Sequence, residues 1–222
     1  MIGIKKILEF LTDLSQNNNR EWFAENKSAY LYVKNEMELL VENMISKISV
    51  FDVSISDQLS KKCLFRIYRD VRFSKNKIPY KINMGAVIVS GGRKTGKAGY
   101  YIHIEPDKSF LAGGVYLPEA KILKAIRQEI QYNTEEYKSI IGKKDFKQLF
   151  GEVYGEKLKR PPKGFPAEFG DMELLKYKSY AIIHPFSDLE LLQNSFLEDA
   201  VQVFKKMKAY NDFINRSFAD HS

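Results

Sequence analysis

Apolar residues recur at helical spacing near both ends of the chain. At the N-terminal end they stand in the i, i+3, i+4, i+7 pattern of a helix with one buried face, at Ile4, Ile7, Leu8, Leu11 and Leu14. The same spacing predicts a longer second helix that buries Trp22, Ala29, Tyr30, Val33, Met37, Leu40, Val41, Met44 and Ile48. We expect Asn18 to cap this helix, because Glu21 follows three residues later as in a capping box.

A second capping box, formed by Ser187 and Glu190, predicts the start of a C-terminal helix. One stripe of that helix is apolar and consists of Leu189, Leu192, Phe196, Ala200, Phe204, Met207 and Ile214. Shorter helices are predicted after Pro118, over residues 134–141 and over residues 145–150. Asp171 is expected to cap a further helical turn.

In the middle of the chain, apolar and polar residues alternate as in β-strands and do not follow the spacing of a helix. Strands are predicted over residues 63–67, 84–90, 99–105, 109–117 and 179–184. The second and third of these are close in sequence and favour an antiparallel hairpin. The pair Gly113-Gly114 implies a bulge or a close backbone approach. Strands flanked by helices predict an α+β fold, with a mainly antiparallel sheet packed against N-terminal and C-terminal helices.

Composition narrows the class of protein. Of 222 residues, 44% are hydrophobic and 28% charged, with 13 Gly and 7 Pro, which excludes a disordered, collagen-like or low-complexity chain. We expect a single domain over residues 1–222. Cys63 is the only cysteine, so neither an internal disulfide nor a cysteine-built metal site is available. No run of 18 apolar residues occurs, and we therefore expect a soluble, cytoplasmic protein.

The positive charge is concentrated in one stretch. Residues 61–100 contain eleven basic residues and one acidic residue, Asp70, which makes this segment +10. The whole chain is only +7, so the remaining residues are slightly acidic. One face of the protein is therefore expected to be strongly positive, either to meet an anion or simply as a solvated basic surface.

Residues 91–98 nearly match a phosphate-binding loop. The sequence Gly-Gly-Arg-Lys-Thr-Gly-Lys-Ala ends in Ala98, where a magnesium-binding hydroxyl residue is required. The segment that follows is a predicted strand, so no helix N-terminus is presented to a phosphate. We therefore interpret this segment as a hairpin tip.

The most informative cluster is a run of arginines within residues 64–81. Arginine presents a planar donor fork that grips phosphate or carboxylate at two points, and three such groups repel one another unless an anion lies among them. The candidate ligand-binding residues are Arg66, Arg69, Arg72, Lys77, Lys81 and Arg160, the last on a proline-stiffened segment. The candidate catalytic residues are Asp70, which orients an arginine or acts as a base, and Tyr80. A small anionic ligand is the favoured partner, with no cofactor and no metal.

Other interpretations of the same residues stay open. The arginines could form an internal lattice with carboxylates in a scaffold protein that has no small-molecule site. The +10 segment could bind nucleic acid, with aromatic side chains stacked on unpaired bases. The sequence does not decide whether the protein is an enzyme, and it assigns no oligomeric state.

The remaining candidate groups carry weaker signals. None of His103, His184 and His221 has the spacing of a two-histidine metal site. His103 alternates with Tyr101 and Glu105, so these three side chains are expected on one strand face. Cys63 has apolar neighbours and is interpreted as a packing residue rather than a nucleophile.

The arginine run also resembles a known signature. The pattern Arg66-x-x-Arg69-Asp70-x-Arg72-Phe73-x-x-Asn76-Lys77-x-x-Tyr80 is similar to that of a bacterial and fungal family catalogued as a domain of unknown function. The resemblance extends over nearly the whole chain and includes Asn18-Asn19-Arg20, Trp22-Phe23, Asn26, Gly113-Gly114, Arg160-Pro161-Pro162-Lys163-Gly164-Phe165 and Leu174-Leu175-Lys176. It implies no particular reaction.

Overall fold

The computed structural model describes residues 3–72, 74–166 and 168–218. Phe73 of the resemblance pattern and His221 lie outside the described residues. Within them, four strands form one antiparallel sheet in the order β1-β2-β3-β4. The strands are β1 (Met84–Ile88), β2 (Gly99–Ile104), β3 (Ser109–Val115) and β4 (Tyr180–Phe186). The predicted hairpin is confirmed as β1 and β2, and the fold is α+β as expected.

Helices precede, separate and follow the strands. Before the sheet lie α1 (Ile4–Gln16), α2 (Arg20–Glu25), α3 (Lys27–Ile48), a 3₁₀ turn (Val53–Ile55) and α4 (Ser60–Cys63). Between β3 and β4 lie α5 (Ala120–Tyr132), α6 (Thr134–Ile141), α7 (Lys144–Phe150) and α8 (Met172–Leu175). After β4 come α9 (Asp188–Leu191) and α10 (Phe196–Arg216). No helix among the described residues is long and apolar enough to cross a membrane.

The predicted second helix is interrupted at Asn26, where α2 ends and α3 begins. The N-cap of α2 is Asn19 rather than Asn18, and its side-chain oxygen accepts a hydrogen bond from the backbone of Trp22 at 2.8 Å. The break rotates the buried face, so Phe23 is buried while Trp22 is only half-buried and Ala29 is exposed. Asn18 instead bonds to a distant segment described below.

The predicted C-terminal helix is also divided. The capping box of Ser187 and Glu190 is present, but it begins the single turn of α9, and the long helix α10 starts only at Phe196. Leu189 is therefore 75% exposed and does not belong to the buried stripe. Leu192 is 46% exposed for the same reason.

Helix α10 packs against one face of the sheet through β3 and β2. The buried side chain of Asn211 accepts a hydrogen bond from the backbone of Gly114 at 2.7 Å and donates one to the backbone of Gly99 at 3.0 Å. Gly114 has φ +84°, and a Cβ there would collide with the carbonyl oxygen of Tyr180. This confirms the close backbone approach that Gly113-Gly114 implied.

The prediction of a strand over residues 63–67 is wrong. Helix α4 ends at Cys63, and the chain then forms only isolated bridges, Leu64 to Ala86 and Tyr68 to Tyr80. Alternation fails here because Leu64 and Ile67, three residues apart, are both buried. The segment forms an irregular ribbon beside the edge strand β1, which we call the arginine ribbon and define as residues 64–69 and 79–83.

Candidate functional site

Backbone hydrogen bonds hold the two arms of the arginine ribbon together. The backbone N–H of Lys81 donates to the carbonyl of Ile67 at 2.8 Å, and that of Arg69 donates to the carbonyl of Pro79 at 2.9 Å. At the sheet, the N–H of Phe65 donates to the carbonyl of Gly85 in β1 at 2.9 Å, which ties the ribbon to that strand. These bonds fix the position of side chains on both arms although neither arm is a regular strand.

The tip of the β1–β2 hairpin lies beside the same region. Gly91, Gly92 and Gly96 have φ values of +74°, +88° and +71°, which glycine adopts without strain. The next regular element is strand β2, beginning at Gly99, so the segment is a hairpin tip and not a phosphate loop that opens a helix. The hairpin tip nevertheless places the side chain of Arg93 beside the arginine ribbon, over the ring of Phe65.

A cleft of about 480 Å³ lies where the ribbon, the hairpin tip and the helices α3 and α4 meet. Its lining residues are Tyr30, Lys34, Lys61, Leu64, Phe65, Arg66, Ile67, Tyr68, Lys81, Asn83, Met84 and Arg93. The lining therefore contains five basic residues and no acidic one. We call this the basic cleft.

The positive charges of the basic cleft are poorly compensated. Lys34 pairs with Glu38 at 3.0 Å. Within the described part of the chain, the other four cations, Lys61, Arg66, Lys81 and Arg93, form no ion pair with a carboxylate. Such a concentration of one charge in a recess attracts anions from solution.

Two of these cations lie over one aromatic ring. The Nζ atom of Lys81 is 5.5 Å from the centroid of the Phe65 ring, and the guanidinium carbon of Arg93 is 5.2 Å from it. Burial lowers the pKa of Lys81 below its usual value, and repulsion from Arg66 and Arg93 lowers it further. The charge of Lys81 is thus destabilised by both arginines, and a bound anion would relieve that repulsion.

The structure places the predicted ligand-binding residues in different locations. Arg66 and Lys81 line the basic cleft, whereas Arg69, Arg72, Lys77 and Arg160 do not. Lys77 donates a hydrogen bond to the carbonyl of Val71 at 3.0 Å. Arg160 is exposed on its proline-containing segment.

Asp70 and Arg72 form a two-point ion pair outside the cleft. The Nε and Nη2 atoms of Arg72 donate to the two carboxylate oxygens of Asp70 at 3.0 and 2.7 Å. These hydrogen bonds hold the pKa of Asp70 below its usual value. Asp70 therefore holds the side chain of Arg72 in place, in line with one of the two roles expected for it. Neither Asp70 nor Arg72 lines the basic cleft.

Tyr80, the other predicted catalytic residue, belongs to the hydrophobic core. It is 6% exposed, and its ring stacks on Phe23 with a centroid distance of 3.9 Å and an interplanar angle of 13°. Burial raises the pKa of its hydroxyl above the usual value. Like Asp70, it does not line the basic cleft.

Three cleft cations were absent from the predicted site. Lys61 and Arg93 lie within the +10 segment, so charge alone could have included them. Lys34 stands on helix α3, one turn after Tyr30, and its position beside the arginine ribbon depends on tertiary packing. Nothing in the sequence pattern distinguishes it from other surface lysines of that helix.

A hydrogen-bonded row of side chains lies on β2 and on the residue directly after it, as the alternation of Tyr101, His103 and Glu105 predicted. The hydroxyl of Tyr101 is 3.0 Å from Nδ1 of His103, whose Nε2 is 3.0 Å from a carboxylate oxygen of Glu105. Burial, assisted by the charge of Glu105, raises the pKa of Tyr101 to about 12. A Cβ atom on Gly85 would crowd the Tyr101 hydroxyl, so this glycine makes room for the row. Phe65 connects the row to the basic cleft, since its ring is 6.0 Å from that of Tyr101.

Other reactive groups are not arranged for chemistry. The described residues contain no group of three or more His, Cys, Asp or Glu side chains that could hold a metal ion. Cys63 is buried, and burial raises the pKa of its thiol to about 11, which disfavours the nucleophilic thiolate. It lies in the core, in agreement with its interpretation as a packing residue.

Comparison with known proteins identifies the family. The search of curated proteins and the search of solved structures each found no match. The family model described as "Conserved hypothetical protein (DUF2461)" matches residues 6–213. The match spans nearly the whole chain, from α1 to α10, and includes both the sheet and the arginine ribbon. The chain therefore belongs to the DUF2461 family of conserved hypothetical proteins.

Proposed function

We propose that the protein binds a small ligand bearing phosphate or carboxylate groups in the basic cleft. The observation that carries this proposal is the set of four lining cations, Lys61, Arg66, Lys81 and Arg93, without a carboxylate partner among the described residues. The proposal concerns binding and assigns no reaction.

The properties of the cleft suit an anionic ligand. Its volume lies in the range of about 300–1,000 Å³ that is typical of small-molecule sites. The side chains of Arg66 and Arg93 offer planar donor forks, and Lys61 and Lys81 add point charges. Phe65 and Tyr68, each 42% exposed, give the lining apolar surface for the uncharged part of a ligand.

Residues outside the lining contribute in a different way. Arg69 and Lys77 belong to the same basic segment as the lining and add to the positive field around the cleft, which raises the rate of encounter with an anion. We assign them no direct contact with the ligand. Arg160 follows the segment that pairs with β4, at the sheet edge opposite β1, and has no part in the proposed site. Arg72 is held by Asp70 and is expected to contribute least.

Isothermal titration with inorganic phosphate and with citrate, at fixed ionic strength, tests this proposal. The variants Arg66→Gln and Lys81→Met each remove one charge from the lining and are expected to weaken binding about tenfold or more, the effect of losing one charge-assisted hydrogen bond. Lys77→Met and Arg72→Gln are matched controls, because they remove the same charge from the same segment outside the lining. Binding by the controls is expected to stay within about twofold of wild type.

Two results would contradict the proposal. One is that neither anion binds to the wild-type protein. The other is that the control variants lose as much affinity as the lining variants, which would mean that the charge of the whole segment, and not the cleft, attracts the ligand.

A parallel titration with single-stranded oligonucleotide at two salt concentrations examines the nucleic-acid alternative, which requires binding that weakens steeply with salt.

A further inference from the structure

The basic cleft is larger than one phosphate or carboxylate group requires. A volume of about 480 Å³ falls among sites for drug-sized ligands. A single small anion in contact with one arginine would leave most of this space filled with water. The size of the cleft therefore indicates a ligand with several groups.

The charge of the cleft leads to the same conclusion. Four lining cations lack a carboxylate partner among the described residues, while a terminal phosphate group carries about −1.5 to −2 at pH 7. One such group leaves roughly half of the positive charge unbalanced. Carboxylate groups carry only −1 each, so a ligand with one or two carboxylate groups balances no more.

The four cations are distributed over separate parts of the chain. Lys61 belongs to α4, Arg66 and Lys81 stand on opposite arms of the arginine ribbon, and Arg93 is on the hairpin tip. Arg66, Lys81 and Arg93 nevertheless line the same cleft, and Lys81 and Arg93 lie over the same ring, that of Phe65. An extended row of anionic groups can contact more of these cations than a single group can.

We propose that the ligand of the basic cleft carries a chain of two or more phosphoryl groups. This inference rests on the proposed function and specifies its ligand class. Arg66 and Lys81 hold one phosphoryl group from the two arms of the ribbon. Arg93, supplied by the hairpin tip, holds a further group of the chain. The chain is either a free inorganic oligophosphate or the phosphate part of a nucleotide, whose ring would then contact Tyr68.

Titration with a series of increasing chain length tests this inference. The probes are orthophosphate, pyrophosphate and tripolyphosphate, with citrate as a multivalent anion that lacks phosphoryl groups, all at the same ionic strength. We expect affinity to rise about tenfold from orthophosphate to pyrophosphate, since one more charge-assisted contact is made. Citrate is expected to bind more weakly than pyrophosphate.

The variant Arg93→Gln tests whether Arg93 contacts the phosphate chain directly or only adds to the positive charge that attracts it. In Arg93→Gln, the increase in affinity from orthophosphate to pyrophosphate is expected to be severalfold smaller than in wild type, while the affinity for orthophosphate changes little. Lys94→Gln is the matched control, because it removes the same charge from the neighbouring, exposed position of the hairpin tip. Circular dichroism of each variant verifies that the fold is retained.

The outcomes distinguish this inference from the proposed function. If orthophosphate binds and longer chains bind no tighter, the oligophosphate class is wrong while the proposed function stands. If Arg93→Gln keeps the full increase in affinity with phosphate chain length, or if Lys94→Gln loses as much of it, Arg93 does not contact the phosphate chain and the inference fails. If no anion binds, both fail. If a nucleoside triphosphate binds more tightly than tripolyphosphate, the ligand is a nucleotide. If the two bind equally, the protein recognises the phosphate chain alone. Both results support the inference.

Discussion

Asn18 and Tyr80 are 62 positions apart and form two reciprocal hydrogen bonds. The side-chain amide of Asn18 donates to the backbone carbonyl of Tyr80, and its carbonyl oxygen accepts from the backbone N–H of Tyr80, both at 3.1 Å. Together with the stacking of Phe23 on Tyr80, this contact ties the turn between α1 and α2 to one arm of the arginine ribbon. The N-terminal helices thus position Lys81, the neighbour of Tyr80, in the basic cleft.

Substitution of Asn18 is expected to loosen that arm. Asn18→Ala leaves the two backbone groups of Tyr80 without their partner, which costs about 1–3 kcal/mol for a partly buried pair. Urea unfolding measures the loss. Asn43→Ala is the control, because Asn43 is exposed and its side chain, among the residues that the structure describes, bonds only to the carbonyl of Leu39 within its own helix. Equal stabilities of Asn18→Ala and wild type would show that the pair contributes nothing.

Tyr80 is expected to matter for its ring and not for its hydroxyl. Tyr80→Ala removes the ring stacked on Phe23 and should destabilise the protein by about 3–5 kcal/mol, the usual cost of removing a buried aromatic ring. Tyr80→Phe keeps the ring and should preserve both stability and anion affinity. Thermal unfolding and titration with pyrophosphate measure the two properties. A large loss of ligand affinity in a stable Tyr80→Phe variant would restore the functional role predicted for the hydroxyl.

Tyr101 should make stability depend on alkaline pH. Its pKa in the folded protein is about 12, above the usual value of 10, so the neutral hydroxyl is favoured by folding. The stabilisation is fully present below about pH 10 and is lost as the pH rises through about 12. The free energy of unfolding of wild type should therefore fall more steeply over this interval than that of Tyr101→Phe, by on the order of 2 kcal/mol. Parallel curves for the two proteins would contradict this prediction.

Glu105 should contribute to the same effect. Its negative charge opposes ionisation of Tyr101, so Glu105→Gln is expected to lower the pKa of the tyrosine. Ultraviolet titration of the phenolate, taken as the difference between each protein and its Tyr101→Phe counterpart, isolates this one hydroxyl. An unchanged or higher pKa in Glu105→Gln would show that Glu105 does not act on Tyr101.

Most of the fold was accessible to sequence reasoning because its patterns are local. The hairpin of β1 and β2 and the helix over residues 134–141 agree with prediction, since each follows from alternation or helical spacing within a short window. The break between α2 and α3 was missed because the apolar spacing is nearly continuous across Asn26. The predicted strand over residues 63–67 failed because Leu64 and Ile67 are buried by tertiary contacts of an irregular segment.

The candidate site was predictable only in part. Local charge indicated the +10 segment and, within it, Arg66 and Lys81. The run of three arginines was expected to lie around one anion, but only Arg66 lines the cleft and Arg72 pairs with Asp70. Lys34 and Arg93 enter the cleft from α3 and from the hairpin tip. Their proximity is a consequence of the folded chain, which a sequence pattern does not contain.

The most direct test of the basic cleft is a crystal structure of the protein with bound tungstate, a tetrahedral oxyanion that is located by anomalous scattering. We expect an anomalous peak between the side chains of Arg66, Lys81 and Arg93, within hydrogen-bond distance of at least two of them. The peak should disappear in crystals of Arg66→Gln. A peak at Arg69 or Arg72 with none in the cleft, or no peak at saturating tungstate, would show that the basic cleft is not an anion site.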